Sequence, residues 1–270
     1  MLVIQPGSGW TAINLRELRQ FRDLLFTLAG RDLRLRYKQT ALGVVWVILQ
    51  PLLAAGIFSF VFGRVARLPS DGLSYFVFSY AGLLGWNLFS GTLNKVSGSL
   101  VGNAHLISKV FFPRLILPLS AVPSVLVDFG VAAAMMIVLL FTHGIPMGWG
   151  LLFLPVWIGM LLALATGIGL WSASLMVSYR DIGYVLPVAL QLLLYASPVA
   201  YPASAVPASL QAAYQCNPLV PVLEAFRWSL LGRGELNGWA LAWAAAFTGS
   251  VFLVGVFSFK RMERTFADVI

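Results

Sequence analysis

The chain has 270 residues, of which 59% are apolar and only 10% charged, whereas ordinary soluble chains carry roughly 25% charge. A soluble globular protein of this composition would not stay dissolved, and at about 20 apolar residues per crossing the length allows roughly six helical spans with short loops. The expectation is a single all-α integral membrane unit, with residues 1–40 as an N-terminal segment and 41–270 as the six-span body. The formal net charge is +8, and basic residues placed beside spans fix orientation and attract anionic headgroups, which points to lipid rather than nucleic acid as their partner. A single cysteine, Cys216, excludes an internal disulfide. With only His105 and His143 beside it, that thiol is a poor stock of metal ligands.

The opening MLVIQPGSGW lacks a positive n-region and a long apolar core, so it is not expected to be a cleavable leader. From Asn14 onward, Leu15, Leu18, Phe21, Leu25 and Leu28 recur at three- and four-residue spacing between charges, predicting an amphipathic helix. Asn14 and Glu17 form its N-cap pattern, and its Arg-rich face suits the headgroup layer, a soluble packing face being the alternative. The first span is expected over Ala41 to Phe62, with Pro51 as a kink. The second runs from Tyr75 to about Leu93 and is followed by a polar stretch, NKVSGSLVGNAHLISKVFFPR, too hydrophilic to lie in lipid. Spans three to six are expected at Leu115 to Phe141, Leu151 to Val177, Tyr184 to Ala200 and Trp239 to Phe259. Prolines 198, 202, 207, 218 and 221 break the apolar segment before the last span into pieces too short to cross. Short helices capping a pathway, or an ordinary folded loop, are the two readings of that segment. With both termini on one side, 14 of the lysines and arginines fall on that side and 4 on the other; the positive-inside tendency then puts both termini in the cytoplasm.

The chemistry available is narrow. Lysines 38, 95, 109 and 260 follow Tyr, Asn, Ser and Phe, so the chain has no Gly-Lys-Ser/Thr P-loop. Asp23, Asp32, Asp71, Asp128, Asp181 and Asp268 are scattered singly rather than clustered to hold magnesium. Asp128 is the one acid within an expected span; it either lines a transport route or is hydrogen-bonded to a neighbouring helix, with no intramembrane base expected to pair with it. The second span concentrates Tyr75, Phe76, Phe78, Tyr80, Trp86 and Phe89, which fits a membrane-interface belt or a surface for stacking sugars.

Four stretches then converge in order along the chain: RDLRLRYKQTALGVVWVILQPLL at 31–53, GNAHLISKVFFPRLILPLS at 102–120, SYRDIGYVLPVALQLLLYASPVAYP at 178–202 and NPLVPVLEAFRWSLLG at 217–232. Together they resemble the polysaccharide and polyol-phosphate ABC exporter permeases, which export O-antigen, capsule and teichoic acid polymers. The resemblance implies a homodimer of six-span subunits in the bacterial inner membrane, docked to a separate ATPase subunit that carries ATP and magnesium, this chain holding no cofactor and catalysing no reaction. It implies a polyprenyl-linked polysaccharide as cargo, and an interface helix before Arg31. It further implies a coupling helix over Val101, Gly102, Asn103, Ala104, His105, Leu106, Ile107 and Ser108, with Arg180 and Asp181 at the second cytoplasmic turn. Periplasmic gate helices would hold Asn217, Glu224, Phe226 and Arg227, and the second-span aromatics would line the channel. Glu224 and Arg227, three residues apart, are expected to pair as a solvated couple. Arg31, Arg34, Arg36 and Lys38 lie within eight residues before the first span, where they would receive the carrier's anionic headgroup or, alternatively, only fix orientation. A self-contained secondary carrier and a membrane enzyme of lipid-linked sugars are the alternatives from other classes.

Overall fold

The computed structural model describes residues 19–38, 43–107, 109–234, 236–263 and 266. Among them every regular element is helical. Helix α1 spans Arg22–Lys38, and α2 spans Gly43–Phe58 before loosening into a π-helical turn at Ser59–Val65. Next come α3, Tyr75–Gly102, and the single-turn α4, Ala104–Ile107. Helix α5 is Ile116–Thr142, and a 3-10 turn at Trp149–Phe153 leads into α6, Leu154–Ser178. Helix α7 is Ile182–Tyr195, followed by the short α8, Ala208–Gln215, and α9, Leu219–Leu231. The last helix, α10, covers Gly238–Met262.

Local chemistry sets several of these boundaries. Asn237 caps α10 by accepting from the backbone N–H of Trp239 at 3.1 Å and Ala240 at 3.2 Å. Gly232, at φ +64°, ends α9 in the left-handed conformation that glycine adopts without a Cβ clash. Asn14 and Glu17, the expected cap of the amphipathic helix, lie outside the described residues. The described part of that helix turns Leu28 inward and leaves Phe26 and Leu35 exposed.

Helix α3 is the hub, packed against α6, α5, α2 and α9. Eighteen of its 28 residues are buried, so its composition answers to protein neighbours rather than to lipid. Close approach is bought with missing side chains: a Cβ on Gly82 would run into the Val199 carbonyl, and one on Gly85 would lie 2.9 Å from Leu223 Cδ2. On α6, a Cβ at Gly169 would sit 2.7 Å from Val96 of α3, and one at Gly167 2.7 Å from the Phe252 Cα of α10. Small residues that let backbones approach are how membrane helices gain packing energy, since lipid tails are as apolar as leucine. Two buried clusters result: one around Phe78, Tyr80, Leu164 and Phe226, the other around Leu28, Leu100, Ile107, Ile116 and Phe259.

Four helical stretches are both long and apolar enough to cross a membrane: Val45–Val65, Ile116–Thr142, Trp149–Ser178 and Gly238–Met262. They fall on expected spans one, three, four and six. The other two expected spans are α3 and α7. Helix α3 has the length, about 42 Å at 1.5 Å per residue, but Ser, Gly, Asn and Thr dilute its apolar character. It also continues to Gly102 instead of ending near Leu93, so Asn94, Lys95 and Ser97 are helical residues, not a loop. Helix α7 has only 14 residues, about 21 Å, and its chain goes on through buried turns at Ser197 to Ala200.

The glycine seam makes a direct prediction. Gly255→Leu, whose first side-chain carbon would meet the Gly167 carbonyl, should lower stability by about 1–3 kcal/mol or more through overpacking. Gly249→Leu on the same helix meets nothing within 4 Å and should leave thermal unfolding in detergent unchanged.

Candidate functional site

Three polar constellations interrupt the apolar bundle. The first joins α1 to the turn between α3 and α4. Arg31 donates through Nη2 to Asp32 Oδ1 at 2.9 Å and to Asn103 Oδ1 at 2.7 Å, while Asn103 Nδ2 donates to the Ser99 carbonyl at 2.9 Å. Arg31 is therefore engaged within the protein rather than held out to a headgroup. Arg34 is exposed and donates through Nε to its own helix at the Gly30 carbonyl, 3.2 Å away. The side chains of Arg36 and Lys38 lie outside the described residues, as does Ser108.

Of the expected coupling segment, Val101 and Gly102 end α3, Asn103 forms the turn, and Ala104, His105, Leu106 and Ile107 make up α4. Ile107 is buried in the second cluster, whereas Val101 and His105 are exposed. Just beyond, the Arg114 backbone N–H donates to Glu263 Oε1 at 3.0 Å, and Lys260 Nζ donates to Glu263 Oε2 at 2.8 Å. The end of α10 is thereby tied to the chain following α4. Arg180 and Asp181 are exposed at the α6–α7 turn, and among the described residues no ion pair or side-chain hydrogen bond joins them to the 101–107 turn.

The second constellation corrects the expectation that Asp128 has no base beside it. Because α3 runs on past Leu93, Lys95 projects toward α5, its Nζ 2.8 Å from Ser124 Oγ and 3.5 Å from Asp128 Oδ2. The pair is incompletely buried, with a third of the Lys95 side chain still exposed.

The third constellation surrounds Arg227 of α9. Its Nη1 donates to the Pro198 carbonyl at 2.9 Å, its Nη2 lies 3.8 Å from Glu224 Oε1, and its guanidinium stands 4.1 Å over the Phe78 ring. Glu224 also accepts from the backbone N–H of Ala203 at 2.9 Å. Arg227 is 4% exposed while the Glu224 side chain is 27% exposed, so the pair sits within the fold with its cation buried and its carboxylate partly open rather than fully solvated. Burial pushes the Glu224 carboxyl above the usual carboxylate range, against the Ala203 hydrogen bond and the Arg227 charge. Asn217 braces the same turns, donating to the Ala196 carbonyl and to Ser197 Oγ, both at 3.1 Å.

The aromatics of α3 belong to this packing. Phe78, Tyr80 and Phe89 are at most 1% exposed and Trp86 is 6% exposed. Tyr80 donates to the Ala132 carbonyl at 2.9 Å, Tyr75 to the Ala200 carbonyl at 2.6 Å, and Trp86 meets Phe89 with centroids 5.7 Å apart. Phe226 is likewise buried, edge-on to Phe129. Only Tyr75 and Phe76 are half-buried; the ring faces of Phe78, Tyr80 and Phe89 are closed to any cargo by the subunit's own helices. Sequence reasoning missed the Lys95–Asp128 pair and the burial of Arg227. Helical spacing alone could have continued α3 to Lys95, but nothing in the order of residues announces the partner across two helices.

Apolar helices of spanning length, glycine-mediated packing and a few internal charge pairs define a multi-pass helical membrane protein. Within that class, residues 23–231 match the ABC-2 type transporter membrane family, and the chain belongs to it. It is similar to the O-antigen export system permease protein RfbA of Klebsiella pneumoniae, 29% identical over 92% of this chain and 95% of that protein. The RfbA of Myxococcus xanthus is 29% identical over 79% of this chain and 82% of its own length. The polysialic acid transport protein KpsM of Escherichia coli is 25% identical over 86% and 91%.

Removing Arg227 leaves the Pro198 carbonyl without its donor and Glu224 without its charge partner. Arg227→Ala should cost about 1–3 kcal/mol, and adding Glu224→Gln should recover part of that loss. Thermal unfolding of the single and double variants in detergent checks both; additive losses would mean the two side chains do not act together.

Proposed function

We propose that this chain is the membrane subunit of an ATP-driven exporter that carries a lipid-linked polysaccharide, O-antigen-like or a related surface polymer, across the bacterial inner membrane. The observation that carries this reading is the family match over residues 23–231, joined by polysaccharide export relatives along nearly the whole chain. In this reading two copies form the channel, each with six crossings made by α2, α3, α5, α6, α7 with its following turns, and α10. Both termini face the cytoplasm, in keeping with a distribution of basic residues that is 13 to 4 once Lys95, paired within the bundle, is set aside. The chain is not itself an enzyme: lacking a P-loop, it relies on a separate ABC ATPase that binds ATP and magnesium, and it needs no cofactor of its own.

The site residues take their roles accordingly. The α4 turn seats in the ATPase, with Arg180 and Asp181 at the neighbouring turn. Arg31, by holding α1 to Asn103, makes the interface helix and the coupling turn move together. Arg34, with Arg36 and Lys38, meets the diphosphate of the lipid carrier, Arg offering bidentate contacts. Helices α8 and α9, clasped by Asn217, Glu224 and Arg227, form the outer gate.

The test is export itself. A strain lacking this gene should retain polymer inside the cell. Export should return only when the chain is expressed together with an ABC ATPase subunit, and the purified chain alone should hydrolyse no ATP. Polymer appearing at the surface through the chain without any ATPase would contradict the proposal.

A further inference from the structure

Helix α3 is buried along its first half and exposed along a single stripe in its second. Asn87 and Asn94 are exposed, and Ser90, Gly91, Lys95 and Gly98 are half-buried, while Leu88, Phe89, Thr92, Leu93, Val96 and Ser97 between them are buried. The open positions recur at three and four residues, one face of one helix. Elsewhere the outward surface is mainly apolar, with Leu53, Ile57 and Phe60 on α2 and its π-helical turn, Val138 and Phe141 on α5, and Leu253, Val254 and Phe257 on α10 exposed; Gln50, Gln191 and Ser250 are exposed there as isolated polar residues. Between Asn87 and Gly98, α3 exposes no large apolar side chain.

We infer that the stripe of Asn87, Ser90, Gly91, Asn94, Lys95 and Gly98 is the wall along which the exported glycan slides, in contact with its hydroxyl groups. The inference deepens the exporter reading and rests on it. In the six-crossing reading α3 lies within the bilayer, and two amides and an ammonium there cannot face hydrocarbon, where unsatisfied polar groups are costly. The Lys95–Asp128 pair leaves a third of the Lys95 side chain open, which calls for water beside it. Asn carries both donors and acceptors, as sugar hydroxyls do. Asn87 and Asn94 stand two turns apart, about 10.5 Å along the helix axis, far enough for each to meet a different sugar of an extended glycan. Asp128 offsets the Lys95 charge, so the wall offers many weak contacts and no trap, which is what passage through a pore requires. Gly91 and Gly98 keep the wall low: a Cβ at Gly98 meets nothing within 4 Å, and one at Gly91 only Val125 at 3.6 Å.

The experiment uses the full chain with its ATPase partner, with Cys216→Ser as background. Asn87→Cys, Asn94→Cys and Gly98→Cys are exposed to a charged, membrane-impermeant maleimide from opened membranes, with Leu253→Cys as the lipid-facing comparison. Membranes come from cells making the polymer and from cells lacking its initiating sugar transferase. Labelling should be fast at the three stripe positions, slow at 253, and slowed on the stripe when polymer is made. In parallel, Asn87→Leu with Asn94→Leu should lower export about tenfold, as expected for two lost hydrogen bonds. Gly98→Leu, whose Cβ meets nothing within 4 Å of the subunit, should obstruct export with the complex assembled, while Gly249→Leu should not. Stripe cysteines that resist the reagent, that join copy to copy regardless of polymer, or that label identically with and without it would overturn the inference, as would normal export by Gly98→Leu. Wild-type complex that leaves the polymer inside would refute the exporter reading, and the glycan occupant with it; normal wild-type export with an unreactive stripe refutes the stripe alone.

Discussion

The close packing of α3 is the constraint on which the rest of the structure depends. A helix buried against α6, α5, α2 and α9 at once requires neighbours that come nearer than ordinary side chains allow. Gly82, Gly85 and Gly169 supply that nearness. Once α3 is enclosed, Phe78, Tyr80, Trp86 and Phe89 are core, whereas Tyr75 and Phe76 at its start stay half-buried. The same enclosure concentrates whatever α3 shows to its surroundings into one polar face.

Charges then hold the two ends of the bundle. At one end Arg31 joins α1 to Asn103 while Glu263 joins α10 to Arg114, so the chain on both sides of α4 is anchored. At the other, Arg227 gathers the Pro198 carbonyl, Glu224 and the face of Phe78 into a single clasp. Each pair is expensive to desolvate and is retained where backbone carbonyls and amides complete its hydrogen bonding. Such clasps fix geometry more than they add stability, which suits a protein whose short helices α8 and α9 must be positioned without spanning the membrane themselves.

Much of this was legible in the residue order. Apolar runs of spanning length placed α2, α5, α6 and α10 to within a few residues, and the prolines between 198 and 221 marked the short helices. Two readings went astray for one reason: composition was taken to report the surroundings of a segment. The polar run after Leu93 looked like a loop because Asn, Lys, Ser and Gly are unwelcome in lipid, yet α3 continues to Gly102 by packing Val96, Ser97, Ser99 and Leu100 against protein while Asn94, Lys95 and Gly98 share the open face. Moving Lys95 into a helix is what gives Asp128 its partner. Glu224 and Arg227 were readable as a pair from their spacing, but their burial depends on Pro198 and Phe78, far away in sequence. The expected amphipathic helix turns Leu28 into the protein, and its Arg31 donates to Asn103.

Between Val77 and Leu100, α3 touches protein everywhere except along one water-facing stripe. A nitroxide scan of positions 86–98 in lipid vesicles, reading collision rates with oxygen and with a water-soluble nickel complex, tests it most directly. The account predicts immobile, inaccessible labels at most positions and nickel-dominated accessibility at 87, 91, 94 and 98. Oxygen-dominated accessibility at those four positions would place the face in lipid and contradict it.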